Sequence, residues 1–293
     1  MKATVIDGKA VAAKVRGEIR IEAERLKERG IVPCLAVILV GEDPASVSYV
    51  RAKQKALIDT GMEGRDIRLS PETAEAELLS LITALNADDD VHGILVQLPL
   101  PEHIRQEIVI TAIDPRKDVD CFHPVSLGKL LRGHPGFLPC TPHGVLVLLK
   151  EHKIPVKGRH AVVIGRSNIV GKPLSALLAQ RQYNATVTLC HSGTADLSLF
   201  TRQADILVVA VGSPRLVTGD MIKKGAAVID VGVNVLPQDH VEKMTVTPRK
   251  LCGDVVFNEA LDVAGWITPV PGGVGPMTVA MLMRNVLLAA GGK

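Results

Sequence analysis

Between residues 159 and 231 the chain alternates short β-branched runs with amphipathic or glycine-bearing stretches, and this rhythm restricts the fold more than any other feature. Residues 159–164 read as a strand, Gly165-Arg166-Ser167-Asn168-Ile169-Val170-Gly171-Lys172-Pro173 as a turn, and 174–180 as the start of a helix. Further strands are expected at 186–190, 205–211 and 226–231. Strands apolar on both faces and joined by crossovers belong in a parallel sheet covered on both sides. The pattern is that of a doubly wound α/β domain, whose ligands sit at the C-terminal ends of its strands.

The turn after the first of these strands suits a dinucleotide. It departs from G-x-G-x-x-G because Ser167 stands where the second glycine would be. Gly165 still permits the tight turn, Gly171 lets the helix pack closely, and the helix N-terminus offers backbone N–H groups to a pyrophosphate. An NAD site ends its second strand with an acid that holds the ribose diol. Here that position reads Cys190-His191-Ser192. Arg166 and Ser192 can instead meet a 2′-phosphate, which favours NADP; the alternative is that Arg166 is a plain surface charge.

The first half carries a different chemistry. A short strand at 3–6 precedes a helix that Asp7 caps and Gly30 ends. The apolar run 34–40 is a second strand, and Gly-Glu-Asp-Pro leads into a helix beginning near Ala45 or Ser46 and stopping near Gly61. Ser46, Tyr49 and Lys53 are spaced i, i+3, i+7, so a hydroxyl, a phenol and an amine share one helix face at a strand end. Arg51 lies on the opposite side. A solvated basic face is the competing reading, although the chain has only two tyrosines to place. After an amphipathic helix at 72–86, Gln97 interrupts a buried strand just before Leu-Pro-Leu-Pro. It either caps its own strand or positions the Lys53 amine, provided that the two strands are neighbours. In Lys117-Asp118-Val119-Asp120 the carboxylates can serve a site or close turns, and turn closure is the default for Asp118.

A first domain over residues 1–139 and a second over 140–276 follow, with a helix at 143–152 after Pro-Cys-Thr-Pro and a terminal helix, 277–293, packing back on the first. Pro269 to Pro276 holds three glycines and three prolines without serine or charge, which suits a shaped, ligand-lining loop better than a linker.

Composition closes off other classes. At 47% hydrophobic and 2% aromatic residues, the cores must be Val, Ile, Leu and Ala. A net charge of +3 without basic clusters and interleaved aromatics excludes nucleic acid as the expected partner. The five scattered cysteines form no C-x-x-C and are expected as buried, reduced thiols. His92, His103, His123, His134, His143, His152, His160 and His240 show no metal-ligand spacing, so no metal site is expected. No leader pattern appears, and apolar runs fall short of the ~18 residues of a membrane span, so a cytoplasmic protein without membrane attachment is expected.

Taken together, Val40-Gly41 with Ser46, Tyr49 and Lys53, G-I-L-V-Q-L-P-L-P at 93–101, K-D-V-D at 117–120, P-C-T-P at 139–142, G-R-S-x-I-V-G-K-P at 165–173 and P-V-P-G-G-V-G-P-M-T at 269–278 carry a resemblance. Over essentially its full length the chain resembles the bifunctional methylenetetrahydrofolate dehydrogenase/methenyltetrahydrofolate cyclohydrolase family of the FolD type. One departure is Cys121, where that family usually has glycine. The resemblance implies two α/β domains around a cleft, the second Rossmann-like, with a homodimer formed through the nucleotide domains. It implies Lys53 as the catalytic lysine, oriented by Gln97, with Tyr49 stacking along the folate and Asp120 holding the pterin. Ser46 and the Pro271-Gly272-Gly273 loop join the substrate site; Gly165, Arg166, Ser167, Ser192 and Val233 bind NADP. The implied chemistry is hydride transfer from 5,10-methylenetetrahydrofolate to NADP+, then hydrolysis of the methenyl cation to 10-formyltetrahydrofolate. Arg51 and Lys55 read first as a solvated face, the alternative being that they serve the acidic polyglutamate tail of a natural folate. A shikimate-dehydrogenase-like oxidoreductase and a non-catalytic NADP-binding module are the rival readings. The first does not need the glycine-proline loop, and the second needs neither Lys53 nor Gln97.

Overall fold

The computed structural model describes residues 2–235 and 251–291, so His240 and the last two residues of the expected terminal helix lie outside the described residues. The chain forms two compact units, one from residues 13–140 with 279–293, the other from 1–12 with 141–278.

The chain opens with β1 (Thr4–Val5), α1 (Gly8–Glu28), β2 (Cys34–Val40), α2 (Pro44–Asp59), β3 (Glu63–Leu69), α3 (Glu75–Ala87) and β4 (Gly93–Val96). Short helices α4 (Gln106–Ala112) and α5 (Pro124–Leu131) lead to α6 (Cys140–Glu151). Then come β5 (His160–Ile164), α7 (Gly171–Ala179), β6 (Thr186–Cys190), α8 (Leu197–Thr201), β7 (Ile206–Val209) and β8 (Ala227–Asp230). The last elements are β9 (Asn234–Val235), β10 (Leu251–Cys252), α9 (Phe257–Val263), β11 (Trp266–Ile267) and α10 (Val274–Gly291).

In the first unit the parallel sheet runs β3-β2-β4. The central strand β2 is buried at every residue, as its unbroken apolar sequence requires. Ile38 and Val40 from β2, Ile94 and Val96 from β4, and Ile82 and Leu85 from α3 share one core. The strand β3, E-G-R-D-I-R-L, is mostly exposed and has no apolar run, so the sequence reading passed over it. It is an edge strand, where charge guards against further pairing. At the head of α2, Asp43 Oδ2 accepts from the Ser46 N–H at 2.8 Å and Pro44 occupies the first turn. The helix therefore begins slightly before the expected Ala45.

The second unit is a six-stranded parallel sheet in the order β1-β11-β8-β7-β5-β6. One of its two edge strands, β1, comes from the start of the chain and pairs with β11. Strand β5 lies between β6 and β7, so the winding reverses there, and the C-terminal ends of β5 and β7 make the topological switch point. The core is built from Val162, Ile164, Leu207, Val209, Val228 and Ile267. Helix α7 starts three residues before the expected Leu174, with Pro173 tolerated in its first turn.

Helix α10 is long and apolar enough to cross a membrane by length and composition, longer than the sequence reading allowed, and half of that stretch is buried in the fold. Asn285 on it is 1% exposed and donates to the Val119 and Leu138 carbonyls at 2.7 and 2.8 Å, so this part of α10 packs on the segment carrying Asp120.

Candidate active site and dinucleotide site

The pairing of β2 with β4 is what brings the polar groups of the first unit together. Ile38 pairs with Val96, and the Gln97 N–H continues the ladder to the Ile38 carbonyl at 2.8 Å. Helix α2 returns over this edge, and the Lys53 Nζ donates to Gln97 Oε1 at 2.8 Å. The other end of the Gln97 amide is fixed too, because its Nε2 donates to the Leu98 carbonyl at 2.7 Å. With both amide ends engaged, Gln97 can present only its oxygen to the amine.

Lys53 is half-buried, and burial pushes its amine below the ordinary lysine range. Asp120, and less so Cys140, pull the other way. Burial likewise pushes the Asp120 carboxyl up, against the pull of Lys53 and a hydrogen bond from the Cys140 thiol. The result is an amine and a carboxyl held close in a poorly solvated place, each kept from its ordinary charge balance by desolvation. Asp118, two residues earlier, does what turn chemistry suggests. Its Oδ1 accepts from the Phe122 N–H at 3.0 Å, and its Oδ2 accepts from the His123 N–H and Ser126 hydroxyl at 2.9 and 2.7 Å.

Tyr49 is 45% exposed on α2, leaving a ring face open to a ligand, whereas Ser46 is buried in the first turn of the helix. Arg51, on the opposite side of α2, is exposed and lines a surface pocket with Gly41, Pro44 and Arg68. Cys121, following Asp120, has φ 62°, the left-handed region where glycine is at ease. That explains why glycine suits this position. The Cys121 thiol donates to the Phe137 carbonyl at 3.3 Å. Sequence reasoning gave no role to Cys140 or Asn285. A cysteine and an asparagine in apolar context carry no motif, and only the fold brings them to Asp120.

In the second unit the turn after β5 has the close glycine packing that the dinucleotide reading requires. Gly165 has φ +114°, and a Cβ there would lie 2.1 Å from the Ala210 carbonyl oxygen. A Cβ on Gly171 would fall 1.7 Å from the Gly165 oxygen, so helix and turn touch backbone to backbone. The Ser167 hydroxyl accepts from the Val170 and Gly171 N–H groups at 3.1 and 3.3 Å. It thereby closes the turn where a glycine was expected and occupies two amides at the head of α7. With the Lys172 N–H on the Ser167 carbonyl at 3.1 Å and no donor on Pro173, the helix head does not present the free N–H groups expected for a pyrophosphate. Arg166 and Ser192 are exposed beyond β5 and β6, and Val233 is exposed beyond β8. These positions line the C-terminal edge of the sheet, and the end of β6 reads Cys190-His191-Ser192 without an acid, so the cradle fits a dinucleotide carrying a 2′-phosphate. Among the described residues no group of three His, Cys, Asp or Glu side chains is placed to hold a metal.

The Pro271-Gly272-Gly273 loop belongs to this unit. Gly272 has φ 115° and its carbonyl accepts from the Lys9 N–H at 3.1 Å. A Cβ on Gly8 would lie 1.8 Å from the Gly273 oxygen. The close approach expected of these glycines is therefore made, at least in part, to the protein's own backbone at the head of α1.

Comparison with known proteins agrees with this geometry. Residues 6–120 match the family model of the tetrahydrofolate dehydrogenase/cyclohydrolase catalytic domain, and residues 139–293 that of its NAD(P)-binding domain. The chain is 58% identical over 288 residues to the bifunctional protein FolD of Exiguobacterium sibiricum, covering 98% of this chain and 99% of that protein. It is similar to the crystal structure of the FolD enzyme of Campylobacter jejuni, with a TM-score of 0.93, 48% identity and 99% of each chain covered. A FolD structure from Trypanosoma brucei, complexed with NADP and an inhibitor, gives 0.92 at 40% identity, over 99% of this chain and 98% of that one. By its two family domains and by its full-length identity to these relatives, the chain belongs to the tetrahydrofolate dehydrogenase/cyclohydrolase (FolD) family.

Proposed function

We propose that the protein oxidises 5,10-methylenetetrahydrofolate with NADP+ and hydrolyses the resulting methenyl compound to 10-formyltetrahydrofolate. The observation that carries the reading is the Lys53 amine, desolvated and hydrogen-bonded at 2.8 Å to a Gln97 whose other end is locked. NADP+ supplies the hydride acceptor when bound. Gly165, Arg166, Ser167, Ser192 and Val233 would hold it, with the Arg166 guanidinium and the Ser192 hydroxyl the groups available to its 2′-phosphate.

In the hydrolytic step Lys53 moves the proton. A lysine with an ordinary pKa near 10.4 is almost wholly protonated at neutral pH and useless as a base. Desolvation, together with a cationic methenyl substrate beside it, favours the neutral amine, which takes a proton from the attacking water. Gln97 fixes the amine by offering an acceptor without a charge that would restore the ammonium. Asp120 holds the pterin through its carboxyl, Tyr49 stacks along the folate, and Ser46 completes the substrate contacts of α2. By motif we also assign the Pro271-Gly272-Gly273 loop to folate binding. Of the rival readings, a bare NADP-binding module has no use for the Lys53–Gln97 pair, and a shikimate-type oxidoreductase, though it too uses a lysine and an aspartate, has none for the glycine-proline loop or the Tyr49 face.

We further assign a polyglutamylated folate as the substrate and a cytoplasmic homodimer as the working form. For the dimer, the open edge strand β6 exposes Leu189, with Leu199 and Phe200 exposed on α8. Light scattering of the purified protein tests that assembly. The activity is tested by supplying 5,10-methylenetetrahydrofolate with NADP+ and following NADPH and the methenyl chromophore; no folate-dependent NADPH formation ends the reading.

A further inference from the structure

Two buried carboxylates that the folate chemistry does not use sit at the C-terminal edge of the six-stranded sheet. Asp254, fully buried just beyond β10, accepts through Oδ2 from the N–H groups of Val211 at 2.8 Å and Gly212 at 3.0 Å, in the connection leaving β7. Its Oδ1 accepts from the Asn234 Nδ2 at 2.8 Å, past the end of β8. Asp230, the last residue of β8, accepts from Gly232 and Asp254 N–H groups through Oδ1 at 3.1 and 3.0 Å, and from Val255 through Oδ2 at 2.9 Å. One carboxylate thus fastens the exits of β7 and β8 together, and the other fastens the segment that carries the first.

The fit leaves no slack. A Cβ on Gly232 would lie 2.1 Å from the Asp254 carboxyl carbon, and one on Gly253 1.8 Å from Asp230 Oδ2. On the far side of the gripped segment, Gly165 packs against the Ala210 carbonyl, one residue before the amide that Asp254 holds. The dinucleotide turn after β5 therefore rests on backbone whose position Asp254 sets.

We propose that Asp254 is a positioning residue for the dinucleotide site: its carboxylate fixes segment 210–212 at the switch point and ties it to segment 232–234 beyond the neighbouring strand β8. The inference rests on the NADP reading above. A carboxyl with two oxygens suits the task because it can accept from all three donors at once, and the bonds lie in a part-buried place where the Val211 and Gly212 amides gain most from a fixed acceptor. A latch that merely stabilised the fold would cost stability and leave the affinity of the folded protein for NADP+ untouched.

The test uses the full-length protein as wild type, Asp254→Ala and Asp254→Asn. NADP+ is titrated calorimetrically, amide exchange is read at Val211 and Gly212, and kcat and KM for NADP+ are set beside nucleotide-free hydrolysis of the methenyl substrate. Loss of the grip weakens NADP+ binding by about ten- to a hundredfold in Asp254→Ala, the scale of losing two or three hydrogen bonds that hold the site's backbone. KM rises more than kcat falls, and the binding loss exceeds any loss of hydrolysis at least tenfold. Asp254→Asn recovers most of the affinity, since its Oδ1 can face the two amides while the Asn234 amide turns over. Wild-type NADP+ affinity in folded Asp254→Ala overturns the proposal, as does an equal loss of NADP+ binding and hydrolysis. If Asp254→Ala does not fold, Asn234→Ala and Asp254→Asn carry the test, with weakened binding expected of the first and wild-type affinity in both refuting it. A wild type that binds no NADP+ refutes the cofactor reading itself, and this inference with it.

Discussion

Replacing Gln97 by Glu keeps the size of the side chain and puts a negative charge where Lys53 now meets a neutral oxygen at 2.8 Å. At an effective dielectric constant of about 20, that separation corresponds to roughly 6 kcal/mol of attraction. Partial solvation and the carboxyl of Asp120 reduce what is realised, and opposite charges this close typically shift a pKa by about 1–3 units. The shift is upward, so at neutral pH the neutral amine becomes about ten to a thousand times scarcer. Hydrolysis of the methenyl substrate, followed by loss of its absorbance, should fall by about that factor at pH 7 and recover as pH rises. The rate–pH profile moves to the alkaline side by about 1–3 units. The Leu98 carbonyl loses its donor as well, at a cost of about 1–3 kcal/mol in stability, so melting curves must confirm that the variant is folded at the assay temperature. A folded variant with an unaltered pH profile and full rate would falsify the role given to the Lys53–Gln97 pair.

Arg166→Ala should raise KM for NADP+ far more than that for NAD+, because only the former carries the 2′-phosphate; equal effects would undo the phosphate assignment. Burial pushes Asp230 up to about 7, against the pull of its backbone amides. Since this folded pKa exceeds the unfolded value near 3.9, its stabilising contribution is full below pH 4 and is lost as pH rises toward 7, by about 4 kcal/mol. Urea unfolding of wild type and Asp230→Asn should accordingly show the wild-type advantage shrinking between pH 4.5 and 7.5; a constant difference would contradict the protonated state. At Cys121, φ 62° makes glycine tolerable and a β-branched residue costly. Cys121→Gly should stay within about 1–2 kcal/mol of wild type, the scale of a left-handed non-glycine residue. Cys121→Val should lose considerably more, and equal melting temperatures for the two variants would show that the backbone angle is not what limits this position.

Much of the architecture was legible because parallel sheets write themselves as uninterrupted apolar runs. The stretch Cys34–Val40 was readable to the residue, and Gly165 and Gly171 announced a turn whose close contacts the structure bears out. The strand Glu63–Leu69 was not legible, since an exposed edge strand rich in charge has neither periodicity nor burial to betray it. Nor could β1 be seen to join the second sheet, because a two-residue strand has no signal beyond its neighbours. In the site, the helical spacing put Tyr49 and Lys53 on one face, and the expected pairing of the strand at 34–40 with the one ending at Gln97 holds although the unread strand β3 intervenes in the chain, so Gln97 does partner the amine. Desolvation of that amine depends on packing from distant segments, among them the one that Asn285 and Cys140 hold in place, and no local pattern encodes it. Asp254 was invisible for the same reason: its three partners lie 20 to 43 residues away.

The central claim is that a desolvated Lys53 carries the hydrolytic step while hydride transfer depends chiefly on how the two substrates are held. It is tested most directly by giving 5,10-methylenetetrahydrofolate and NADP+ to wild type and to Lys53→Met, with NADPH and methenyl absorbance followed together. Wild type should form NADPH and clear the methenyl compound. The folded variant should still bind both substrates and let any methenyl compound it forms, or is given, persist apart from its slow spontaneous decay. A Lys53→Met protein that clears methenyltetrahydrofolate at the wild-type rate would show the lysine to be structural and contradict the account.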